Sequence, residues 1–382
     1  MRSCWKCTTA LGLVLGGWSI TAPAAKALSG PAAITIDGGP LGQLTVSGGV
    51  DGYGYYVNNP YGGTKTDGAE VGSALIELQK NSGVLQFTIE VGSNGGAVTL
   101  GTNTPTQTSI SAFTTGPLYE GYITIAPPDV PVTISVGMLG SLEGYEAGVD
   151  WLNPVQLTTA IYYVQNSNSR GVEASYTHGP LTATVEFGDG FNTGVFNFLQ
   201  ALVSYQFNAN NTANLYYAGN LGTTGLNAYG YGNGTVGSYG ANFVNSQMLG
   251  GYYSYTHGNL NVVPEVQYVY AKANQRLGLT KASGSFGAAV FGDYAFANTP
   301  YSLGAWVEYE DSTGPDFWFV GPKSEAVGAA VAPTWQYKNL FARANAGAIY
   351  LLNNKSFSTA SYGADGTDKY QFIGTLQAGL LF

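Results

Sequence analysis

The chain closes on Lys369-Tyr-Gln-Phe-Ile-Gly-Thr-Leu-Gln-Ala-Gly-Leu-Leu-Phe382. Tyr370, Phe372, Leu376, Ala378, Leu380 and Phe382 fall on one face of an extended strand. Lys369, Gln371, Thr375 and Gln377 fall on the other. A strand alternates its side chains with period two, so this stretch has one apolar and one wet face. It is long enough to cross a bilayer as a tilted strand, which takes about 9–11 residues. The aromatic final residue, Phe382, resembles the signal read by barrel-assembly machinery. The plainer reading is a strand that ends there.

The same period runs backwards through the chain. Leu85, Phe87, Ile89 and Val91 alternate with Gln86, Thr88 and Glu90. Val262, Val266, Tyr268 and Tyr270 alternate with Val263, Glu265, Gln267 and Val269. Tyr301, Leu303, Ala305, Val307 and Tyr309 alternate with Ser302, Gly304, Trp306, Glu308 and Glu310. Tight-turn signals stand at Asn81-Ser82-Gly83, Pro127 to Val130, His178-Gly179-Pro180, Asn208 to Asn211, His257-Gly258-Asn259, Asn298-Thr299-Pro300 and Tyr337-Lys338-Asn339. Between them lie longer Gly-, Asn-, Ser- and Thr-rich segments: 58–68, 94–117, 141–169, 190–198, 220–246, 274–283, 312–324 and 353–367. Seven tight turns alternating with eight long loops predict 16 strands. An even strand number with short turns at one end and long loops at the other is the pattern of a transmembrane barrel. Ser175-Tyr-Thr-His-Gly-Pro-Leu181 returns as Ser254-Tyr-Thr-His-Gly-Asn-Leu260, each a hairpin with an acid, Glu186 or Glu265, on its second strand.

Composition agrees. The chain of 382 residues carries 55 Gly and 28 Tyr, yet only 10% of it is charged, against about 25% in an average soluble protein. Mean hydropathy is +0.02, and no long apolar run follows residue 27. Arg2 and Lys6, the apolar stretch Ala10 to Ile20, and Ala25-Lys26-Ala27 form a signal peptide with cleavage expected after Ala27. A cut after Ala24 is the alternative. The expected organisation is a leader, 1–27, and one β-barrel domain, 28–382. Both cysteines, Cys4 and Cys7, leave with the leader, so the mature chain has no thiol or disulfide. Losing Arg2, Lys6 and Lys26 takes Lys+Arg from 14 to 11 against 23 acids, 11 − 23 = −12. So negative a chain is an unlikely partner for nucleic acid.

Tyr294, Phe296, Trp335 and Tyr337 lie near predicted turns, as do Tyr176 and Tyr255. That is where amphipathic rings meet the membrane–water boundary. Gly287, Gly304, Gly328 and Gly347 sit on wet faces and are expected to leave the lumen open. A wall of about 16 strands is too wide to fill with its own side chains. The longest candidate for narrowing it is 141–169. Its apolar segment 157–164 would be out of place in open water, and Glu143, Glu146, Asp150 and Trp151 are its constriction residues. The alternatives are an ordinary outer loop or an additional strand over 157–164.

At this level the chain resembles the OmpL-like β-barrel porin family of Gram-negative outer membranes. The likeness is carried by Gly48-Gly-Val-Asp-Gly-Tyr-Gly-Tyr-Tyr-Val-Asn-Asn-Pro60, Ala74-Leu-Ile-Glu-Leu-Gln-Lys80, Leu118-Tyr-Glu-Gly-Tyr-Ile-Thr124, the strand Val132 to Gly137, Gly144-Tyr-Glu146 and Gly188-Asp-Gly-Phe-Asn192. It covers the first half of the chain well. The resemblance implies a porin-like barrel and no particular substrate. The family often has a Lys after the Gly of the fifth strand, where this chain has Met138. That departure leaves any inherited anion preference in doubt.

The alternation puts Glu77, Glu90, Glu120, Glu173, Glu186, Glu265, Asp293, Glu308 and Glu310 on the wet face, against Arg343 and Lys369. An acid-lined lumen concentrates cations. The expectation is passive diffusion of small hydrophilic solutes or ions through a weakly cation-preferring pore. The bland alternative is that these acids only keep the lumen wet. Two further readings stand beside it. One is a sugar-type channel with Trp306, Tyr216 and Tyr252 as a stacking track. The other is a closed structural or adhesive barrel that binds partners through loop 220–246. Acid–base chemistry needs a base beside a nucleophile or acid, and His178 and His257 stand in matching turns. No catalytic residue, cofactor or metal is expected. The expected partners are outer-membrane lipid, the assembly machinery, small solutes and further copies of the chain in a homotrimer.

Overall fold

The computed structural model describes residues 28, 30–60, 65–95, 97–101, 118–166, 168–228, 240–315, 323–354 and 362–382. The expected leader, 1–27, and the middle of loop 220–246 lie outside them. The strands in chain order are β1 (Ile34–Asp37), β2 (Gln43–Asn58), β3 (Asp67–Lys80), β4 (Leu85–Asn94), β5 (Val98–Thr99), β6 (Leu118–Ile125), β7 (Val132–Gly140), β8 (Leu157–Thr158), β9 (Asn168–His178) and β10 (Leu181–Gly188). They continue as β11 (Phe198–Asn208), β12 (Asn211–Asn220), β13 (Ser246–His257), β14 (Leu260–Ala271), β15 (Ser283–Ala295), β16 (Tyr301–Thr313), β17 (Ser324–Tyr337), β18 (Leu340–Asn354) and β19 (Tyr370–Leu381).

Leaving out β1, β5 and β8, the 16 remaining strands of the described residues close a barrel. Every neighbouring pair is antiparallel. The ring shuts where β19 pairs with β2, Thr375 opposite Tyr55. The seven predicted tight turns and eight predicted loops all fall between these strands. Closure matters physically: hydrocarbon offers no partner to a free N–H or C=O, so a membrane sheet can have no edge. Among the described residues no helix is long and apolar enough to cross a membrane; the strands do the crossing. In the β9–β10 and β13–β14 turns, Gly179 and Gly258 take φ of +57° and +59°. A two-residue hairpin turn that follows strand twist needs that geometry, and glycine takes it without strain.

The outer face is a continuous apolar band. Leu376 is 72% exposed, Leu215 65% and Leu249 63%, which only lipid can cover. Below it, aromatic pairs ring the end with the tight turns. Tyr176 and His178 stack at 6.3 Å, Tyr255 and His257 at 6.4 Å, and Trp335 and Tyr337 at 6.4 Å. Lys338 Nζ lies 5.4 Å from the Tyr337 ring centre. Both histidines of the repeated hairpins are therefore girdle residues. Inward-facing side chains are mostly polar or small, except where loops meet the wall: the long loop between β7 and β9, and the cluster in which Phe198, Leu202 and Met248 meet Phe191, Phe243 and Leu277.

Candidate pore constriction

That loop folds into the barrel. Its apolar segment forms neither an open loop nor a barrel strand. Leu157–Thr158 (β8) runs parallel to Val98–Thr99 (β5), and Ala160–Tyr163 makes one helical turn, α1. Thr159 caps α1 through its hydroxyl, which accepts from Tyr162 N. Val155, Leu157, Ala160 and Ile161 pack on Val263, Phe291, Trp306, Ala330, Ile349 and Ile373 of the inner wall. Burying this segment removes the mismatch that put it at odds with water.

The wall was built to receive it. Gly304, Gly347 and Gly287 face inward, and a Cβ there would lie 2.3 Å from Pro154 O, 2.9 Å from Leu157 Cδ1 and 2.6 Å from Ile161 Cγ1. The expectation that these glycines keep the lumen open is corrected: the room they make is filled by the loop.

Polar tethers hold the loop around most of the circumference. Trp306 Nε1 donates to Leu157 O at 2.6 Å, and Gln267 Nε2 to Ile161 O at 3.2 Å. Ala160 N donates to Glu308 Oε2 at 2.8 Å. Gln156 N donates to Asn345 Oδ1 at 3.0 Å, and Thr375 Oγ1 to Gln156 Oε1 at 2.7 Å. On the far side, Asn94 Nδ2 donates to Gly148 O at 3.0 Å and Leu142 N to Gln200 Oε1 at 3.1 Å.

The strongest tether is Arg343. Its guanidinium donates to Asn153 O at 2.7 Å, Asp150 O at 3.1 Å and Gln377 Oε1 at 2.8 Å. The Asp150 carboxylate lies 3.9 Å away, and both side chains are fully enclosed. Ser73 Oγ donates to Asp150 at 2.8 Å, and Gln377 Nε2 reaches both Asp150 and Asp51. Asp51 was missed in the sequence reading. The signal was there: it is an acid on the inward parity of the Gly- and Tyr-rich strand β2.

The predicted lumen acids divide into two groups. Glu265, Asp293, Glu308 and Glu310, on β14–β16, are buried beside the loop's half of the wall and take protein donors. Tyr216 Oη donates to Glu265, Asn261 to Asp293 and Ser285 to Glu310, at 2.8, 3.0 and 2.9 Å. Glu77, Glu90, Glu120, Glu173 and Glu186 line the opposite side, on β3, β4, β6, β9 and β10; Glu77, Glu90 and Glu186 are buried as well, and Glu77 accepts from Ser47 Oγ at 3.1 Å. There the pairing puts like charges face to face: Glu77 opposite Glu90, Glu90 opposite Glu120, and Glu173 opposite Glu186. Directly opposed like charges weaken a sheet, so stability does not explain these rows. Arg343 faces neither row, because it lies beneath the loop. Lys369 precedes β19 and is exposed.

Glu143, Glu146, Asp150 and Trp151 are all buried inside the barrel. Glu143 and Glu146 stand on the loop's edge across from the Glu90–Glu120 wall. Between them lies a cavity of about 150 Å³, which Tyr119, Tyr162, Gln165 and Asn166 also line. Gly148 lines it too, because a Cβ there would stand 2.6 Å from Tyr119 Oη. Burial raises the Glu143 carboxyl to about 8, opposed by the N–H of Asn166. Burial also holds Glu146 well above the usual carboxylate range, opposed by donors from Thr159 and reinforced by Glu265 and Glu308.

A barrel of this build has counterparts. The family model described as "Putative beta-barrel porin-2, OmpL-like" matches residues 43–382. The chain belongs to this porin family. Among solved structures, the anion-selective porin from Comamonas acidovorans superposes with a TM-score of 0.58 at 10% identity, covering 89% of this chain and 99% of that one. The outer membrane channel DcaP of Acinetobacter baumannii gives 0.57 at 11% identity, covering 89% and 97%. The trimer form of OmpT from Vibrio cholerae gives 0.55 at 10%, covering 89% and 99%. At such identities the likeness is one of fold. No curated protein matches the chain by sequence. The chain is thus an outer-membrane porin, and family and fold point to a channel rather than an enzyme.

Proposed function

We propose that this porin is a passive diffusion channel that prefers cations. The observation that carries the reading is the separation of charge inside the barrel. Glu77, Glu90, Glu120, Glu173 and Glu186 line the wall from β3 to β10, across from the loop's apolar seat, while Arg343 is held under the loop. On this reading solutes pass carboxyl groups on the wall and Glu143 and Glu146 on the loop; among the described residues no basic side chain lines the cavity between them. Field lines concentrate in such a low-dielectric cleft and favour cations, most at low salt. The anion-selective neighbour does not argue otherwise, since selectivity belongs to lumen residues and not to the fold.

The sugar-channel reading draws no support from the aromatic residues. Trp306 and Tyr216 are only 3% and 1% exposed, with Trp306 under the loop, and the half-buried Tyr252 packs on Tyr145 of the loop at 5.8 Å. The trimeric neighbour supports a homotrimer. Phe382, whose backbone exchanges two hydrogen bonds with Gly48, is the residue we assign to recognition by the assembly machinery. Residues 1–27 are assigned to a cleaved leader. The test of function is the reversal potential of the refolded barrel in a planar bilayer under a KCl gradient. A cation-signed potential is expected; an anion-signed one would leave the porin and remove the preference.

A further inference from the structure

The cavity between loop and wall gathers more carboxyl groups than a diffusion path needs. Glu90, Glu120, Glu143 and Glu146 converge on about 150 Å³, and among the described residues no Lys, Arg or His lines it. One of these groups lacks a partner. Glu143 is 5% exposed, its Oε2 accepts from Asn166 N at 2.9 Å, and its buried Oε1 meets no donor among the described residues. A buried carboxyl oxygen without a hydrogen-bond partner is costly, and a cationic ligand with N–H donors would both satisfy it and favour its ionised form. The rest of the lining is mixed: Tyr119 and Tyr162 bring rings, Val149 and Leu152 bring apolar surface, and Gln165 and Asn166 bring amides.

The chemistry of the missing donor can be narrowed. A small metal ion needs several oxygens gathered around one point. Among the described residues no group of three His, Cys, Asp or Glu side chains is arranged that way. The carboxylates are spread over two strands and the loop, so they suit a cation whose charges are also spread. An ammonium group brings three N–H donors. A methylene stem suits aromatic and aliphatic lining, and ring faces attract cations. We propose that this cavity is a binding subsite for short linear diamines carrying an ammonium at each end. The proposal rests on the cation-preferring reading and gives it a substrate class.

The test is block of K⁺ current through the refolded barrel by 1,4-diaminobutane, n-butylammonium and Mg²⁺ at matched ionic strength. Calorimetric titration of the same ligands into the detergent-folded barrel provides a second readout that does not need an open pore. Diaminobutane is expected to bind about tenfold more tightly than either competitor, the loss of one charge-assisted contact being worth that much. Glu143→Gln and Glu120→Gln should each weaken it several-fold, whereas Glu325→Gln, on β17 and bonded to Tyr309, should not. Diaminobutane no better than butylammonium would overturn the subsite, as would Mg²⁺ of equal strength. A cation-selective pore indifferent to diamine defeats the subsite alone. An anion-selective pore defeats the reading beneath it.

Discussion

The two sides of this barrel are made of the same kind of strand, yet they do opposite things with their inward faces. From β14 round to β19 the wall offers glycine, alanine and a few large apolar side chains, and it takes up the loop. From β3 to β10 it offers carboxylates in opposed rows and keeps its distance from the loop's apolar segment. The first side lets apolar surface and hydrogen bonds accumulate in the usual way. The second accepts cross-strand repulsion. The comparison teaches that inward-facing residues of a wide barrel serve two separate tasks, holding the constriction and shaping the field in front of it.

Breaking the holding side should give the largest effect. Arg343→Ala leaves Asp150 enclosed without its cation and removes the donors to Asn153 O and Asp150 O. Removing one partner of a buried pair costs about 3–5 kcal/mol. Single-channel conductance should rise as the loop loosens, and detergent-state thermal unfolding should begin earlier. An unchanged conductance would mean that the apolar seat alone fixes the loop.

Next comes a paired comparison of the acids. Glu77→Gln, Glu90→Gln and Glu120→Gln together should remove most of the cation preference. The same change at Glu265, Asp293 and Glu308 should leave the reversal potential near its original value and weaken the loop's seating instead. Equal effects from both triples would erase the distinction between the two sides. A smaller effect is expected at the seat itself. Gly304→Ala drives a Cβ to 2.3 Å from Pro154 O, and overpacking of this kind costs about 1–3 kcal/mol. Its signature is noisier current without a change in charge selectivity.

Much of the fold was legible because two local rules act on every strand: side chains alternate, and tight turns need Gly, Asn or Pro. Seven turns and eight loops could therefore be counted from residues such as His178-Gly179-Pro180 and Asn81-Ser82-Gly83. The acids' inward parity was legible for the same reason. What sequence could not show was which side of the barrel the loop would choose. That depends on distant residues meeting across the lumen: Gly304 with Pro154, Gly347 with Leu157, Arg343 with Asp150. Glycines on wet faces read locally as open space, and an inward arginine reads locally as a counter-charge. Both readings change once a loop some 150 to 190 positions earlier occupies the room, as the Ala160–Glu308 and Arg343–Asp150 contacts show.

The smallest effect sharpens the boundary between the two sides. Glu143 stands on the loop but faces the acidic wall, and burial raises its carboxyl to about 8. It faces Glu90 of β4, Glu120 of β6 and Glu146 of its own loop, with Tyr119, Tyr162 and, among the described residues, no basic side chain in the lining; Glu186 of β10 and Tyr216 of β12 also feel its charge. The sign follows from the direction of the shift. A carboxyl raised on folding favours the protonated, docked loop. Its contribution is complete below its ordinary value of 4.5 and is lost as pH climbs to about 8. Over the same interval the cavity gains negative charge. Cation permeability relative to anion permeability should therefore rise modestly between about pH 6 and 9, while the loop becomes easier to displace. Glu143→Gln should flatten the part of that profile centred near 8 and leave the preference set by Glu77, Glu90 and Glu120 in place. A profile unchanged by Glu143→Gln would assign the titration to the wall, and the loop would then belong wholly to the holding side.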